Sequence, residues 1–419
     1  MSARPRGSEA SILFRPWKIG TASVPNRLLR AATYEGMADP HGYPSRELGD
    51  LYARLAAGGV GAIITGFCYV SPAGRAMQPR QCGMDADEKI AAWQRVVSAV
   101  RAARTGTLLF LQIAHAGRQT LESAAGGPVR APSSRPSPYF RSRPVAMSES
   151  EIRAAIGEFV SAAARAQQAG FDGIELHAAH GYLIHQFLSP YLNDRRDAWG
   201  RDRLAFLREI ILGIATACGS EYPVLVKISA GDFHPGGVSA ELAADYAARL
   251  ENLGVGAIEV SCGTMDLAMN IFRGGLPIEP VFAHNPLFAG RPAWQRALWK
   301  RFALPRLRRR LEPFREAYNR EAARVIRRRT RIPLVLVGGI RSRASMEEIL
   351  ASGDADALAL CRPLVREPDL VKQLRDGRST RSTCVNCNLC AVMCDSPAGL
   401  RCYQKETRHE NCNGHEAGD

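Results

Sequence analysis

Two histidines and a tyrosine follow directly on a segment that has the composition of a buried β-strand. The segment 173–176 reads Gly-Ile-Glu-Leu, and His177, His180 and Tyr182 come immediately after it. Imidazole and phenol groups donate hydrogen bonds and move protons, and burying three of them without partners is costly. Such a cluster is favourable where a ligand supplies the partners, so we predict the active site at this strand end.

Two further polar residues interrupt apolar, strand-like runs. Gln112 stands near the end of one run, where its amide could exchange hydrogen bonds with a heterocycle or with neighbouring backbone. Lys227 lies inside another run, where an unpaired ammonium is expensive. Either the edge of a flavin ring or an internal ion pair with Glu175 or Glu259 would offset that cost.

Glycine and arginine residues after the last two strand-like runs indicate a phosphate site. Gly338 and Gly339 follow one run, and Cys361 and Arg362 follow the next. Glycines let backbone N–H groups approach phosphate oxygens, and in β/α barrels the loops after strands seven and eight recurrently bind phosphate. Arg362 stands at the matching position after the neighbouring strand, which strengthens the prediction of a phosphate site at the glycine pair.

Strand-like and helix-like segments alternate along most of the chain, which predicts an α/β fold of the (β/α)8 TIM-barrel class. The predicted strands are 28–32, 61–65, 107–113, 173–177, 224–229, 257–261, 334–337 and 357–360. The predicted helices are 46–57, 87–103, 151–169, 203–217, 240–253, 316–328 and 344–350. A doubly wound sheet would need a glycine-rich dinucleotide turn after its first strand, and the sequence has none there. Long connections at 116–148 and 262–313 would both rise over the active-site face.

Composition and charge are those of an ordinary globular protein with one unusual region. The 419 residues are 46% hydrophobic and 23% charged, and no run is apolar enough for a signal peptide or a membrane span. Eleven cysteines in such a chain favour thiols or metal ligands in a reducing compartment, so we expect a cytoplasmic protein. The net charge is +14, but residues 291–331 alone contain fifteen Lys or Arg and three Glu. The rest is close to neutral, which argues against a nucleic-acid binder.

A series of short motifs, in a fixed order between residues 12 and about 375, connects the chain to a known family. The motifs are Asn26-Arg27, Ala31-Ala32-Thr33-Tyr34, QIAHAGR (112–118), HAAHGYL (177–183), NDRRD (193–197), VKIS (226–229), VGGIRS (337–342) and CRPLVREPDL (361–370). With these motifs the chain resembles the old yellow enzyme family of FMN-dependent oxidoreductases. It is most similar to the branch with 2,4-dienoyl-CoA reductase and trimethylamine dehydrogenase.

The resemblance implies a role for individual residues. Those expected around the FMN ring are Ala32, Thr33, Tyr34, Gly66, Gln112 and Lys227. Those expected at the FMN phosphate are Gly338, Gly339, Cys361 and Arg362. His177 and His180 would hydrogen-bond a carbonyl oxygen of the substrate, and Tyr182 would be the proton donor. Arg195 of the NDRRD motif would also contact the substrate.

The implied activity is that of an FMN-dependent NAD(P)H oxidoreductase. Hydride would pass from NAD(P)H through the flavin to the β-carbon of an enone or enoyl ester, and Tyr182 would protonate the α-carbon. One alternative is a flavin-dependent amine dehydrogenase or demethylase that passes electrons to an iron–sulfur cluster or a partner protein. Another is a binding or assembly subunit that does not oxidise NAD(P)H. The family's habit further implies a homo-oligomer.

The segment 381–419 is rich in cysteine, and we interpret it as a tail that follows a barrel of residues 1–380. Its cysteines include Cys384, Cys387, Cys390, Cys394 and Cys402. The resemblance implies a [4Fe–4S] cluster held by the first three and one remote cysteine, for which we favour Cys402. In a ferredoxin-like run Cys394 would serve a different cluster. A zinc site and no metal at all are the alternatives. A cluster would serve a separate electron-transfer partner or a structural role.

The basic region includes an insertion at about 281–315 in which apolar residues recur at steps of three to five. They are Trp294, Leu298, Phe302, Leu307, Leu311 and Phe314. Pro305 would break or start a helix within this stretch. The pattern fits an amphipathic helix that contacts an anionic membrane, a partner or a phosphate-bearing substrate. It also fits a solvated cover beside the loop after strand six, which is the interpretation we favour.

Overall fold

The structure of the protein is a computed structural model that describes residues 11–404. Eight parallel strands form a closed ring in which each strand pairs with the next along the chain and the eighth pairs with the first. We name them β1 to β8: Leu28–Arg30, Ala62–Ile64, Leu108–Ala114, Gly173–Ala178, Val224–Ser229, Ala257–Ser261, Leu334–Val337 and Ala357–Leu360. The predicted (β/α)8 barrel is confirmed.

One main helix follows each strand. We name these helices α1 to α8: Arg46–Ala57, Ile90–Ala102, Glu149–Gln168, Ala205–Cys218, Ala240–Leu250, Arg320–Arg327, Arg343–Ala351 and Leu370–Arg375. Shorter helices lie in the connections and after α8: Glu122–Ala125, Leu183–Leu188, Ala198–Arg201, Ile278–His284, Ala293–Leu298, Leu304–Arg308, Arg362–Arg366 and Leu389–Met393. Short strand pairs are Trp17–Ile19 with Ala22–Val24 and Arg130–Ala131 with Val145–Ala146, and Cys68–Tyr69 extends the edge of β3.

Burial explains why the strands read as continuous apolar runs. Every residue of β4, β5 and β6 is buried, because one face of each strand fills the barrel and the other packs under the helices. The inner layer contains Leu29, Ile64, Phe110, Leu225 and Val335, together with the short N-terminal strand pair. A larger layer lies between the strands and the helices. The barrel is therefore a packed core, and only its rim can carry chemistry.

Local signals in the sequence place most of the helices. Ser148 and Glu151 form a reciprocal capping box at the start of α3, with Glu151 N–H donating to Ser148 Oγ at 3.3 Å. The helix predicted at 316–328 begins only at Arg320, so that boundary was wrong. Ala317 has a φ of +53°, which no α-helix accepts, and Glu316 accepts hydrogen bonds from the N–H groups of the loop after β7.

The two long connections meet above the C-terminal ends of the strands. Asp266, after β6, forms an ion pair with Arg118, after β3. Ser137 Oγ in the first connection donates to Asp266 Oδ1 at 2.8 Å. Both connections therefore cover the active-site face, as predicted. Within residues 11–404, none of the helices is long and apolar enough to cross a bilayer.

Candidate active site

A cavity of about 710 Å³ opens at the C-terminal ends of the strands. Twelve of the residues predicted to contact FMN or substrate line it: Ala32, Thr33, Tyr34, Gln112, His177, His180, Tyr182, Lys227, Gly338, Gly339, Cys361 and Arg362. They come from all parts of the barrel, from the end of β1 to the end of β8. The closed ring brings them together because parallel strands end on the same side.

The two histidines and the tyrosine form a compact group on the wall of this cavity. The ring centroids of His177 and His180 are 4.9 Å apart and those of His177 and Tyr182 are 4.8 Å apart. His180 Nε2 lies 2.8 Å from Ser261 Oγ at the end of β6, which fixes the orientation of the ring. Phe67 stacks on Tyr182 with a centroid distance of 5.3 Å. The group is thus held by neighbours and faces the open space.

Burial sets the protonation state of this group. It lowers the pKa of His177 well below its ordinary value, and His180 and Lys227 lower it further. The pKa of His180 is lowered in the same way, by burial first and then by Lys227. Burial raises the pKa of Tyr182 above its ordinary value. At neutral pH the site therefore offers two neutral imidazoles and a protonated phenol, which are hydrogen-bond donors without net charge.

Lys227 stands at the floor of the cavity between two buried carboxyl groups. Its Nζ lies 2.7 Å from Glu259 Oε1 and 3.9 Å from Glu175 Oε2. Burial alone would lower the pKa of Lys227, but the two carboxylates outweigh it and raise the pKa. Burial raises the pKa of Glu175, whose carboxyl also accepts a hydrogen bond from Gln112 Nε2. The internal ion pair therefore exists, and Lys227 still lines the cavity; its contact with a flavin stays a prediction.

The glycine pair after β7 forms one end of the cavity. Gly338 and Gly339 have φ values of +128° and +73°, which favour glycine. A side chain at Gly338 would come within 2.7 Å of the Tyr318 ring, and one at Gly339 within 2.7 Å of the Arg315 carbonyl. Arg362 is buried beside them, and its Nη1 donates to the Arg273 carbonyl at 2.8 Å. A glycine backbone and a guanidinium at one place suit a phosphate group.

Two of the residues predicted to contact FMN or substrate do not line the cavity. The N–H of Gly66 donates to Glu35 Oε1 at 3.1 Å, and a Cβ there would lie 2.1 Å from Glu35 Oε2, so this glycine packs against a carboxylate. Arg195 donates to the carbonyls of Pro132 and Met147 at 3.0 and 2.6 Å and pairs with Asp197. Both residues therefore have partners within the protein, and their contact with FMN or substrate stays a prediction.

Sequence reasoning missed several residues that line the cavity, and Asp395 is the most informative. It comes from the cysteine-rich segment after α8, which packs over the cavity through Cys390, Cys394 and Asp395. Burial raises the pKa of the Asp395 carboxyl to about 7. Its position next to Cys394 was visible in the sequence, but no pattern there indicated that this segment folds back over the barrel.

Replacing Asp395 with asparagine should stabilise the protein in a pH-dependent way. The pKa of this carboxyl is 3.8 unperturbed and about 7 in the folded state, so the folded form binds the proton more tightly. The free energy of unfolding of the wild type should therefore fall by at most about 4 kcal/mol as the pH rises from 4 to 7, and it should stay level above pH 7. Urea unfolding should show the advantage of Asp395→Asn growing over that range. A difference independent of pH, like that expected for the exposed Asp50→Asn, would contradict this.

The four predicted cluster ligands lie near one another without forming a metal site. Cys384, Cys387, Cys390 and Cys402 all line a second cavity of about 20 Å³. Arg366 Nη1 donates to Cys402 Sγ at 3.4 Å. In the part of the chain that is described, no group of three or more His, Cys, Asp or Glu is arranged to hold a metal ion. The predicted [4Fe–4S] cluster is therefore not supported.

Three observations indicate that the large cavity can hold FMN. Its volume of about 710 Å³ is in the range of cofactor pockets. His177 Nδ1 is buried without a hydrogen-bond partner in the described chain, although buried polar atoms are normally paired. The glycine pair and Arg362 form a cradle at one end that a side chain would fill. A barrel with such a rim has the features of a flavin-dependent oxidoreductase.

Comparison with known proteins defines the group more closely. Residues 12–272 match the NADH:flavin oxidoreductase / NADH oxidase family. An NADPH dehydrogenase of Geobacillus sp. (strain WCH70) is 32% identical over 362 residues, which are 85% of this chain and 92% of the relative. A 4,4'-dithiodibutanoate disulfide reductase of Rhodococcus erythropolis is 31% identical over 94% of this chain and 95% of its own length. The chain belongs to the NADH:flavin oxidoreductase family, whose members include the old yellow enzymes.

Other relatives are longer than this chain. An NADH oxidase of Thermoanaerobacter brockii is 34% identical over 90% of this chain but only 53% of the relative. A solved 2-naphthoyl-CoA reductase in complex with 2-naphthoyl-CoA has a TM-score of 0.75 at 23% identity, over 90% of this chain and 54% of that protein. The old yellow enzyme homologue of Zymomonas mobilis gives a TM-score of 0.67 at 24% identity. The chain thus spans about half the length of several relatives, and the solved structures confirm the barrel fold.

Proposed function

We propose that the protein reduces the activated C=C bond of an α,β-unsaturated carbonyl compound at the expense of NAD(P)H. The observation that carries this proposal is the pair of neutral imidazoles beside a protonated phenol on one wall of the cavity. Neutral donors polarise a carbonyl oxygen without attracting a counter-anion, and a phenol with a raised pKa keeps its proton until a carbanion-like carbon develops.

Each side chain has a distinct task in this proposal. His177 and His180 hydrogen-bond the carbonyl oxygen and so draw electron density from the β-carbon. Tyr182 gives its proton to the α-carbon from a position that Phe67 holds by stacking. Bound FMN would supply hydride transfer, accepting two electrons from NAD(P)H and releasing them to the substrate. Lys227 and Gln112 would contact its ring, and Gly338, Gly339 and Arg362 would hold its phosphate.

A second candidate function is oxidation of an amine. Asp395 is a carboxyl group inside the cavity, and Tyr34, Phe67 and Tyr139 line the same space. Aromatic rings with a carboxylate are the groups that bind a substituted ammonium ion. The histidine pair favours carbonyl compounds, whereas Asp395 favours amines. Addition of a tertiary amine without NAD(P)H should bleach the flavin absorbance only if this second function holds.

An absorbance spectrum of protein purified without oxygen tests the proposed function. We expect a flavin band that NADPH or NADH bleaches and that an enone restores, because the oxidised flavin is regenerated when hydride leaves it. A band that NAD(P)H does not bleach would support the binding-subunit interpretation, and absence of flavin would overturn the proposal. Iron and sulfide analysis of the same sample would decide whether the cysteine-rich segment binds an iron–sulfur cluster.

A further inference from the structure

A continuous helical segment roofs the cavity. It comprises Ala293–Leu298, a π-helical turn at Trp299–Ala303 and Leu304–Arg308, and we call it the roof helix. The wider π turn ends just before Pro305, whose missing N–H would otherwise interrupt the helix. Its inner face lines the cavity with Trp299, Ala303 and Leu307. Pro305 lies in the first turn of Leu304–Arg308, which is the helix start that was one of its two predicted roles. The whole helical segment spans about 24 Å.

The outer face of the roof helix is apolar and exposed. Trp294, Leu298 and Phe302 follow one another at steps of four residues, so they form one stripe along the helix. Their exposed fractions are 63%, 51% and 56%. They are three of the seven large hydrophobic residues exposed in the described chain. Scattered exposed apolar residues are normal, but a stripe on one helix marks an interaction surface.

Positive charge surrounds this stripe. Between residues 280 and 311 the sequence has eight Lys or Arg and no Asp or Glu. Arg301, Arg308 and Arg309 are exposed. No carboxylate in residues 11–404 pairs with any of these three arginines. The outer surface of the roof helix therefore combines arginines that have no carboxylate partner with exposed indole, isobutyl and phenyl groups.

We propose that the roof helix docks on the surface of an anionic lipid bilayer. Its apolar stripe would enter the boundary between headgroups and acyl chains, and its arginines would contact lipid phosphates, as in interfacial amphipathic helices. A second copy of this chain fits poorly, because two such faces would bring like charges together. A nucleic acid would match the arginines but would leave the apolar stripe without a role. This weighs against the solvated cover favoured from the sequence.

Docking would have a direct effect on access to the cavity. The side chains that line the cavity and those that would enter the lipid lie on different sides of the same helix, because successive residues are about 100° apart around its axis. The mouth would therefore be held at the headgroup level, where apolar molecules dissolved in the bilayer are concentrated. This inference does not require the proposed function, because it rests only on the outer face.

Vesicle sedimentation tests the proposal. The full chain should sediment with vesicles of equal parts phosphatidylglycerol and phosphatidylcholine, and stay in solution with phosphatidylcholine alone. The triple variant Arg301→Glu, Arg308→Glu, Arg309→Glu should lower the partition coefficient at least about 100-fold. The double variant Leu298→Ala, Phe302→Ala should lower it about tenfold or more. The matched control Arg95→Glu, Leu212→Ala changes an exposed cation and an apolar side chain on α2 and α4 and should bind like wild type.

Three results would overturn the proposal. The first is wild-type protein that stays in solution with the anionic vesicles. The second is binding that is equal on both vesicle types or unchanged in the triple variant, because charge would then play no part. The third is a dimer in light scattering that Trp294→Ala dissociates, without vesicle binding, because a second copy would then cover the stripe.

Discussion

Substitution of His180 by alanine should reduce kcat/KM for an enone about 100-fold or more, with flavin content unchanged. The imidazole is one of two donors available to a carbonyl oxygen, and loss of a single such donor typically costs a factor of 100 to about 1,000. His180→Asn keeps a side-chain N–H and should recover part of the loss. The measurement is the rate at which an enone reoxidises the reduced flavin in a stopped-flow experiment.

Tyr182→Phe is the companion variant for this experiment. It preserves the ring that stacks on Phe67 but removes the proton, so it should slow the same step while leaving substrate affinity nearly intact. Because the pKa values of His177 and His180 are lowered by burial, the rate should not change through their titration between pH 6 and 8. If His180→Ala reoxidises its flavin at the wild-type rate, His180 has no role in the mechanism.

Replacing Lys227 with methionine should destabilise the protein by about 3 to 5 kcal/mol. The ammonium is the cation between Glu175 and Glu259, both of which are fully buried, and removal of one partner leaves a buried charge uncompensated. Urea unfolding of the flavin-loaded protein measures the loss of stability. The fraction of flavin retained after dialysis measures how well the site holds the cofactor. Lys227→Arg keeps the charge and should lose much less stability.

A second substitution separates charge from packing. In the variant Lys227→Met, Glu259→Gln the stranded carboxylate is gone, so stability should recover by a large part of the initial loss. Flavin retention should not recover to the same degree if Lys227 contacts the cofactor. Equal recovery of stability and of flavin retention would show that Lys227 has only a structural role. No recovery of stability would show that the three side chains do not act as one electrostatic unit.

The sequence predicted the barrel well because each strand is buried on both faces. Such runs are continuous and apolar, and β5 to β8 have the predicted bounds. The start of α6 was missed because Ala317 adopts a left-handed conformation that its residue type does not indicate. That conformation depends on Glu316, which is engaged by the N–H groups of Arg341 and Ser342. Contacts between segments distant in sequence decided this boundary, and local propensity could not.

The same distinction separates the site residues. His177 and Gly338 were predictable because a polar or glycine residue at the end of an apolar strand must face the rim of a barrel. Lys227 was predictable because an ammonium inside such a strand needs a partner. Asp395 reaches the cavity from a segment without strand or helix periodicity, so only the folded chain places it there. Gly66 has no room for a side chain because Glu35 packs against it, and a motif alone does not distinguish this steric constraint from contact with a cofactor.

The ion pair between Arg118 and Asp266 has a consequence for turnover. It ties together the connections after β3 and β6, and Ser137 adds a hydrogen bond to the same carboxylate. Residues of both connections line the cavity, so neither connection can move away from the other while the pair persists. An opening at this point of the cavity would then move both connections together, with a single rate constant. That rate would set a ceiling on the catalytic cycle that no improvement of the histidine pair could exceed.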